Sequence, residues 1–165
     1  MKREIRLSKS EDIPLMLRMF EHSREIMRSQ GNTVQWTDGY PGVEAINYDL
    51  ARNVSHIILE DGKPIGTFAF IIGDEPTYHV IEHGAWIDDK STYGTIHRLA
   101  CLPNVHGVAQ SCFEWCASQF HNLRVDTHVK NQSMIHVVEK FGFQYCGVIT
   151  IANGTPRNAY QKIIK

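Results

Sequence analysis

The chain is poor in the features that mark membrane, nucleic-acid-binding and disulfide-stapled proteins. No apolar run approaches the roughly 20 residues that a bilayer-spanning helix needs, and the opening MKREIRLSKSED is too polar for a signal-peptide core. These two absences give the expectation of a cytoplasmic protein with no membrane partner. An excess of one charge is missing too: 17 Lys and Arg face 18 Asp and Glu, for a net charge of −1. The basic residues are scattered, so no broad positive field favours nucleic acid. Cysteine is sparse and never in a CxxC pair. Cys101, Cys112, Cys116 and Cys146 read as small core residues of a reducing compartment, with Cys112 and Cys116 one helical turn apart. Histidine is not sparse, with nine residues. His79 and His83 are four apart, but no three or four ligands converge by spacing, so no metal is expected.

What remains is the make-up of an ordinary globular chain. A hydrophobic fraction of 42% and a charged fraction of 21% over 165 residues suit one domain, residues 1–165, with a sizeable core. Glu4 to Ser8 alternates as a strand, and Ser10 is placed to cap the helix that follows, whose Ile13, Met16, Leu17, Phe20 and Met27 recur at helical spacing. Gly31-Asn32 stops it. The stretch Gln30 to Gly42 has no period and carries Trp36 and Tyr40, as a binding loop or a packed surface loop would. Val43 to Arg52 reads as a short helix. His56 to Glu60 and Pro64 to Ile72 flank Asp61-Gly62-Lys63 and read as a hairpin. Tyr78 to Ile87, with Glu82, His83 and Trp86, reads as an extra strand or an ordered loop.

The centre of the chain is Tyr93 to Phe143. A β-like run ends at Pro103, and a small-residue turn, Asn104 to Ala109, opens an amphipathic helix. A strand from Leu123 to Val129 and a helix from about Gln132 to Phe141 follow, with Asn131 at the N-cap and Gly142 past the end. Phe143 to Ile151 and Asn158 to Ile164 are strands joined at Asn153-Gly154. A turn carrying glycine between a strand and a helix N-terminus suits an anion, because first-turn N–H groups lack helical partners and the dipole is positive there. The order of elements predicts an α/β (α+β) domain: a mixed sheet with helices on both faces.

These residues resemble the GNAT superfamily of acetyl-CoA-dependent N-acetyltransferases. His97-Arg98-Leu99-Ala100-Cys101-Leu102-Pro103 resembles its hRLAV-x-P strand. Asn104-Val105-His106-Gly107-Val108-Ala109 resembles the G-x-G/A end of its phosphate turn, and Asn131, Met134 and Phe141-Gly142-Phe143 its last motif. The resemblance implies a mixed, mostly antiparallel central sheet. It implies acetyl transfer from acetyl-CoA (coenzyme A) to a primary amine, on a small molecule or a peptide, by direct attack on the thioester. Pantetheine would lie along Leu99, Ala100 and Cys101. Pyrophosphate would meet the N–H groups of His106, Gly107, Val108 and Ala109, with Asn104 in the same turn and Asn131 nearby.

An alkyl ammonium, with a pKa of about 10.4, must lose a proton before it attacks. His97 leads as base: an imidazole titrates near neutrality, and His-x-Leu-Ala resembles the strand of serotonin acetyltransferase, with Thr95 at the place of that enzyme's other histidine. Glu82 is the second candidate, through a water. Tyr160, or Tyr145, is the candidate acid, because Val138 stands where many relatives carry the tyrosine that protonates the thiolate. Cys101 and Cys146 rank low as nucleophiles. Trp36, Tyr40 and Trp86 are the candidate acceptor-pocket residues. Two further departures are Asn104, where the family prefers Arg or Gln, and a turn about two residues shorter than the family pattern. With Val138, Asn104 supports an alternative, a non-catalytic acyl-CoA-binding or regulatory module on the same fold. Whether a homodimer closes the pocket is left open by the sequence.

Overall fold

The computed structural model describes residues 2–165. Seven strands and four helices follow in the order β1 (Arg3–Leu7), α1 (Ile13–Ser29), α2 (Val43–Ala51), β2 (Ser55–Glu60), β3 (Lys63–Ile72), β4 (Gly94–Cys101), α3 (Val108–Gln119), β5 (Asn122–Thr127), α4 (Gln132–Phe141), β6 (Gln144–Thr150) and β7 (Pro156–Ile163). The strands form a single sheet in the order β1-β2-β3-β4-β5-β7-β6. Every neighbouring pair is antiparallel except β4 and β5. Among the described residues no helix is long and apolar enough to cross a membrane.

Local chemistry accounts for most of these elements. Asp61-Gly62 turns β2 into β3, both residues with positive φ. Helix α4 starts at Asn131, whose Oδ1 accepts from the Met134 N–H at 3.3 Å, and ends at Gly142 in the left-handed region. The entry to α1 differs from the expectation. Ser10 opens a short 3-10 turn and caps nothing; its hydroxyl donates to Glu11. The carboxylate of Asp12 closes this turn, accepting from the Lys9 N–H at 2.8 Å while Arg6 grips it with two bonds, and no side chain caps α1.

Three apolar clusters cover the sheet. On one face α3 and α4 bury Val108, Cys112, Phe113, Cys116 and Val138 against Phe68, Ile96, Leu123, Val125 and Tyr160. On the other, α1 and α2 cover the β1–β4 half with Met16, Met19, Phe20 and Ile46. The remaining quarter is covered by no helix. There the segment 73–93 packs Tyr78, Trp86 and Tyr93 on Cys146, Ile149 and Ala159. This segment is an ordered loop, with one isolated bridge between Glu82 and Val148. Its close fit rests on Gly84, where an added Cβ would lie 2.0 Å from the Cys146 carbonyl oxygen.

Candidate active site

The parallel pair is where the sheet opens. Strands β4 and β5 pair only at Gly94–Leu123 and Thr95–Arg124, then diverge. The divergence begins just before a bulge in β4, where the register with β3 shifts between Thr67 and Ala69. Arg98 sits at the bulge with φ +54°, a conformation that bulky side chains adopt only under constraint. The bulge changes which face each residue serves. Ile96 packs on the α3 side, yet Ala100, four residues on, packs under α1.

A cleft of about 1170 Å³ lies over this opening. It is floored by Thr95 to Leu99 of β4 with Asp126 and Thr127 of β5, and walled by the loop before α2, by α2 itself, by Asp74 to Thr77, and by the β6–β7 turn with Arg157. The loop is held in place by the guanidinium of Arg28, which donates to the carbonyls of Asn32, Gln35 and Trp36 at 2.8 to 2.9 Å. A buried amide chain, Asn32 to Gln35 and Asn131 to Gln35, ties it to the start of α4. Trp36 packs edge-on against Phe20, as a packed surface loop requires, and also lines the cleft, with positive φ.

Two hydrogen-bonded side-chain pairs order the floor. His97 Nε2 lies 3.0 Å from Glu75 Oε1. The hydrogen bond from His97, aided by the Thr77 N–H, holds the Glu75 carboxyl below its usual range against the opposing effect of burial. Arg98 forms a fork on Asp49 at 2.7 and 2.8 Å and donates to the Tyr40 hydroxyl at 3.0 Å. Arg98 thereby fixes Tyr40, on the loop, to α2. Beside the floor, Tyr78 donates to Asp126 at 2.6 Å. Two buried hydroxyls, those of Thr95 and Thr127, have no hydrogen-bond partner.

His97, Trp36, Tyr40, Leu99 and Asn131 all line this cleft. Three sequence-based candidates lie elsewhere. Tyr160 is 2% exposed and faces α3 and α4 within the apolar core, so it is no acid for this cleft. Glu82 is exposed on the far side of the loop, its backbone bridged to the sheet edge at Val148. Trp86 is buried against Tyr78 and over the guanidinium of Arg124, 3.9 Å from its centroid, which makes it a core aromatic. Tyr145, the other candidate acid, is exposed beside Tyr160 on β6. Burial raises the thiols of Cys101 and Cys146 above their ordinary value, so neither is an activated nucleophile.

The expected phosphate turn lies past the end of β4. Gly107 is the N-cap of α3 at φ +71°, and no side chain caps the helix, so its first N–H groups are unclaimed. Asn104 also has positive φ. Arg3 of β1 reaches this turn, donating to the His106 carbonyl and, at 3.0 Å, to Ser111 while paired with Glu60. Ala100 and Cys101 lead into the turn at the end of β4, and Val108 and Ala109 open α3. Among the described residues no cluster of three or more metal-ligating side chains occurs.

Sequence reasoning missed Glu75, Arg98, Asp49, Asp126 and Arg157. Glu75 follows a glycine turn with no motif around it. Arg157 fell just outside the strand expected from Asn158. Only the Arg of the strand motif carried a signal, and it was read as part of a cofactor strand.

The comparisons with known proteins bear on the fold and the family. A GNAT-family acetyltransferase from Streptococcus agalactiae superposes with a TM-score of 0.91 at 33% identity, covering 99% of this chain and 96% of that one. An N-acetyltransferase from Staphylococcus aureus shares the fold at 17% identity and a TM-score of 0.65, over 100% of both chains. A chain of the NatC complex bound to Gag peptide and CoA does so at 14% identity and 0.60, also over 100% of both. The comparison with curated proteins gave no significant match. The profile of the acetyltransferase (GNAT) family matches residues 17–143. The chain belongs to the GNAT family of acetyltransferases.

Proposed function

We propose that this protein is a cytoplasmic N-acetyltransferase that uses acetyl-CoA as co-substrate and an amine, on a small molecule or a peptide, as acceptor. One observation carries the reading: the strand pair that parts over the cleft bears His97, backed by Glu75, on its floor. A carboxylate only accepts hydrogen bonds, so the Nε2–H of His97 donates to Glu75 and Nδ1 keeps its lone pair. That lone pair takes the proton of the acceptor ammonium, and Glu75 stabilises the imidazolium that results. Glu75 is a positioning residue, acting through His97. The free amine then attacks the thioester carbonyl that acetyl-CoA supplies. The bulge at Arg98 interrupts the ladder, which suits a backbone N–H near Leu99 to the developing oxyanion.

For the cofactor, the fit rests on Gly107 and the uncapped N–H groups of Val108 and Ala109, which together make a cradle for pyrophosphate with the His106 N–H. Arg3 acts as a clip that shapes this turn, which Asn104 begins. Leu99, Ala100 and Cys101 offer the strand edge for pantetheine. Asn131 is chiefly a helix cap that also anchors the loop. Thr127, whose buried hydroxyl is unpartnered, lies on the α4 side of β5 and adds a polar group on the cofactor side. With Val138 fully buried and Tyr160 in the core, neither position supplies a phenol to the leaving thiolate; the proton held by His97 is available to it.

Calorimetric titration with acetyl-CoA tests the cofactor half, and the absence of binding at millimolar concentration overturns it. Thiol release across an amine panel tests the transfer. Binding without release on any amine would favour the non-catalytic module, the reading that the apolar Val138 supports.

A further inference from the structure

The cleft has four basic side chains in its lining, Arg52, His97, Arg98 and Arg157. Two are committed and one, Arg52, is exposed. Arg98 is forked onto Asp49 and bonded to Tyr40, His97 is paired with Glu75, and Arg52 stacks on the Tyr48 ring at 4.7 Å. Arg157 is different. It is 4% exposed, and only its Nη1 is used, donating to Thr155 Oγ1 at 2.9 Å and to the Pro156 carbonyl at 2.8 Å. Among the described residues no Asp or Glu forms a salt bridge with it; Asp126 acts on it only through space. Burial works against the charge and pulls the guanidinium below its ordinary value. A buried guanidinium with its Nε and Nη2 unclaimed presents the two-pronged edge that fits a carboxylate.

The strand register puts this edge on the face that carries the base. Directly paired residues share a face, and so do residues two apart along a strand. Thr95 pairs with Arg124, Arg124 with Gln161, and Asp126 with Ala159. His97 is two residues beyond Thr95, and Arg157 two before Ala159. One face of β4, β5 and β7 therefore bears Thr95, His97, Asp126 and Arg157, and all four line the cleft. Thr95 adds an unpartnered hydroxyl on this face, 1% exposed.

We propose that Arg157 is the specificity residue of the acceptor site, and that it binds a carboxylate carried by the acceptor itself, so that the substrate class is amino acids. This rests on the acetyltransferase reading above, in which His97 receives the ammonium end of the same molecule. Asp126, held by Tyr78, stands on the strand between those of His97 and Arg157 and repels a carboxylate that enters the wrong way round.

The test uses the full chain with coenzyme A present and two probe panels: the N-acetyl derivatives of the common L-amino acids, and the same compounds as carboxamides. Binding is read by saturation-transfer NMR and ranked by titration, so the result does not depend on turnover. The expected result is that at least one carboxylate binds about tenfold to hundredfold more tightly than its amide, the gap of a charge-assisted fork. Arg157→Gln is expected to erase that gap without changing affinity for coenzyme A, and Arg157→Lys, which keeps the charge but not the fork, to restore part of it. Equal binding of both panels, binding of neither, or a gap that survives in folded Arg157→Gln overturns the proposal. An acetyl-CoA titration that fails counts against the acetyltransferase reading instead.

Discussion

The polar face of β4, β5 and β7 has a closed end and an open end, and the two treat buried arginine in opposite ways. At the closed end Arg124 is 1% exposed and fully enclosed. Its guanidinium lies 3.9 Å from the Trp86 ring centroid and 3.8 Å from that of Tyr93, and it donates to the Asp88 carbonyl. Gln161 and Asn122 knit the surrounding backbone, with Gln161 Oε1 accepting from the N–H groups of Ile87 and Asp88. At the open end His97, Glu75 and Arg157 are ordered by partners yet keep unused hydrogen-bonding capacity. The Nε of Arg124 has no hydrogen-bond partner, but the rings of Trp86 and Tyr93 close over the guanidinium, so it serves the fold. At the open end the unused capacity lines the cleft and is prepared for a ligand.

The sharpest way to break this contrast is a substitution at each end. His97→Ala is expected to lower kcat by about a hundredfold to ten-thousandfold, the usual share of a general base. Stability should stay within about 0.5 kcal/mol and acetyl-CoA affinity within a few-fold. An unchanged pH–rate profile would reject the base role. Arg124→Ala is expected to do the reverse. It empties a site between two rings and forfeits cation–π contact, for a loss of about 3 kcal/mol in urea unfolding, while folded enzyme keeps its chemistry. A change below about 0.5 kcal/mol would mean that the closed end is not structural.

A smaller effect separates positioning from catalysis. Glu75→Gln removes the charge that stabilises the imidazolium and is expected to lower kcat about tenfold, a single pK unit's worth of differential interaction. Its pH–rate profile should shift with it, and Glu75→Asp should recover part of the rate. A loss in KM alone would place Glu75 in substrate binding. The smallest expected effect is on acid stability. The folded-state pKa of Glu75 lies below its ordinary 4.5, so its contribution is complete above that pH and fades as pH falls through the depressed folded value. The stability advantage of the native chain over Glu75→Gln should thus be larger at pH 6 than at pH 3. A pH-independent difference would show that the ion pair contributes nothing to folding.

Legibility followed the range of the interactions. Helix α4 was readable to the residue because its cap, its apolar stripe and its terminal glycine are all local. The β2–β3 hairpin was readable from Asp-Gly, and the His97 strand from its motif. The failures at Glu82 and Trp86 fall in a loop that no period describes, and that at Tyr160 falls in a strand. Alternation tells that a strand residue faces one side or the other, and not which side meets the cleft. Tyr160 alternates correctly and lands in the core, because β7 pairs it with Val125. Trp86 is an aromatic of the loop that walls the cleft, but its ring packs on Tyr78 and Arg124 and does not line the cleft.

The sequence alone determined the elements, their order, the family resemblance and the presence of a histidine on the central strand, because each depends on neighbours within a few positions. The tertiary structure decided that β4 and β5 part after two residue pairs, that a bulge at Arg98 redirects the strand, and that Glu75 meets His97. It also decided that Arg157, sixty residues from His97 along the chain, stands on the same face. Those outcomes depend on which strands lie side by side and in what register. Strand order is set by the packing of three separate apolar clusters, and no local pattern encodes it.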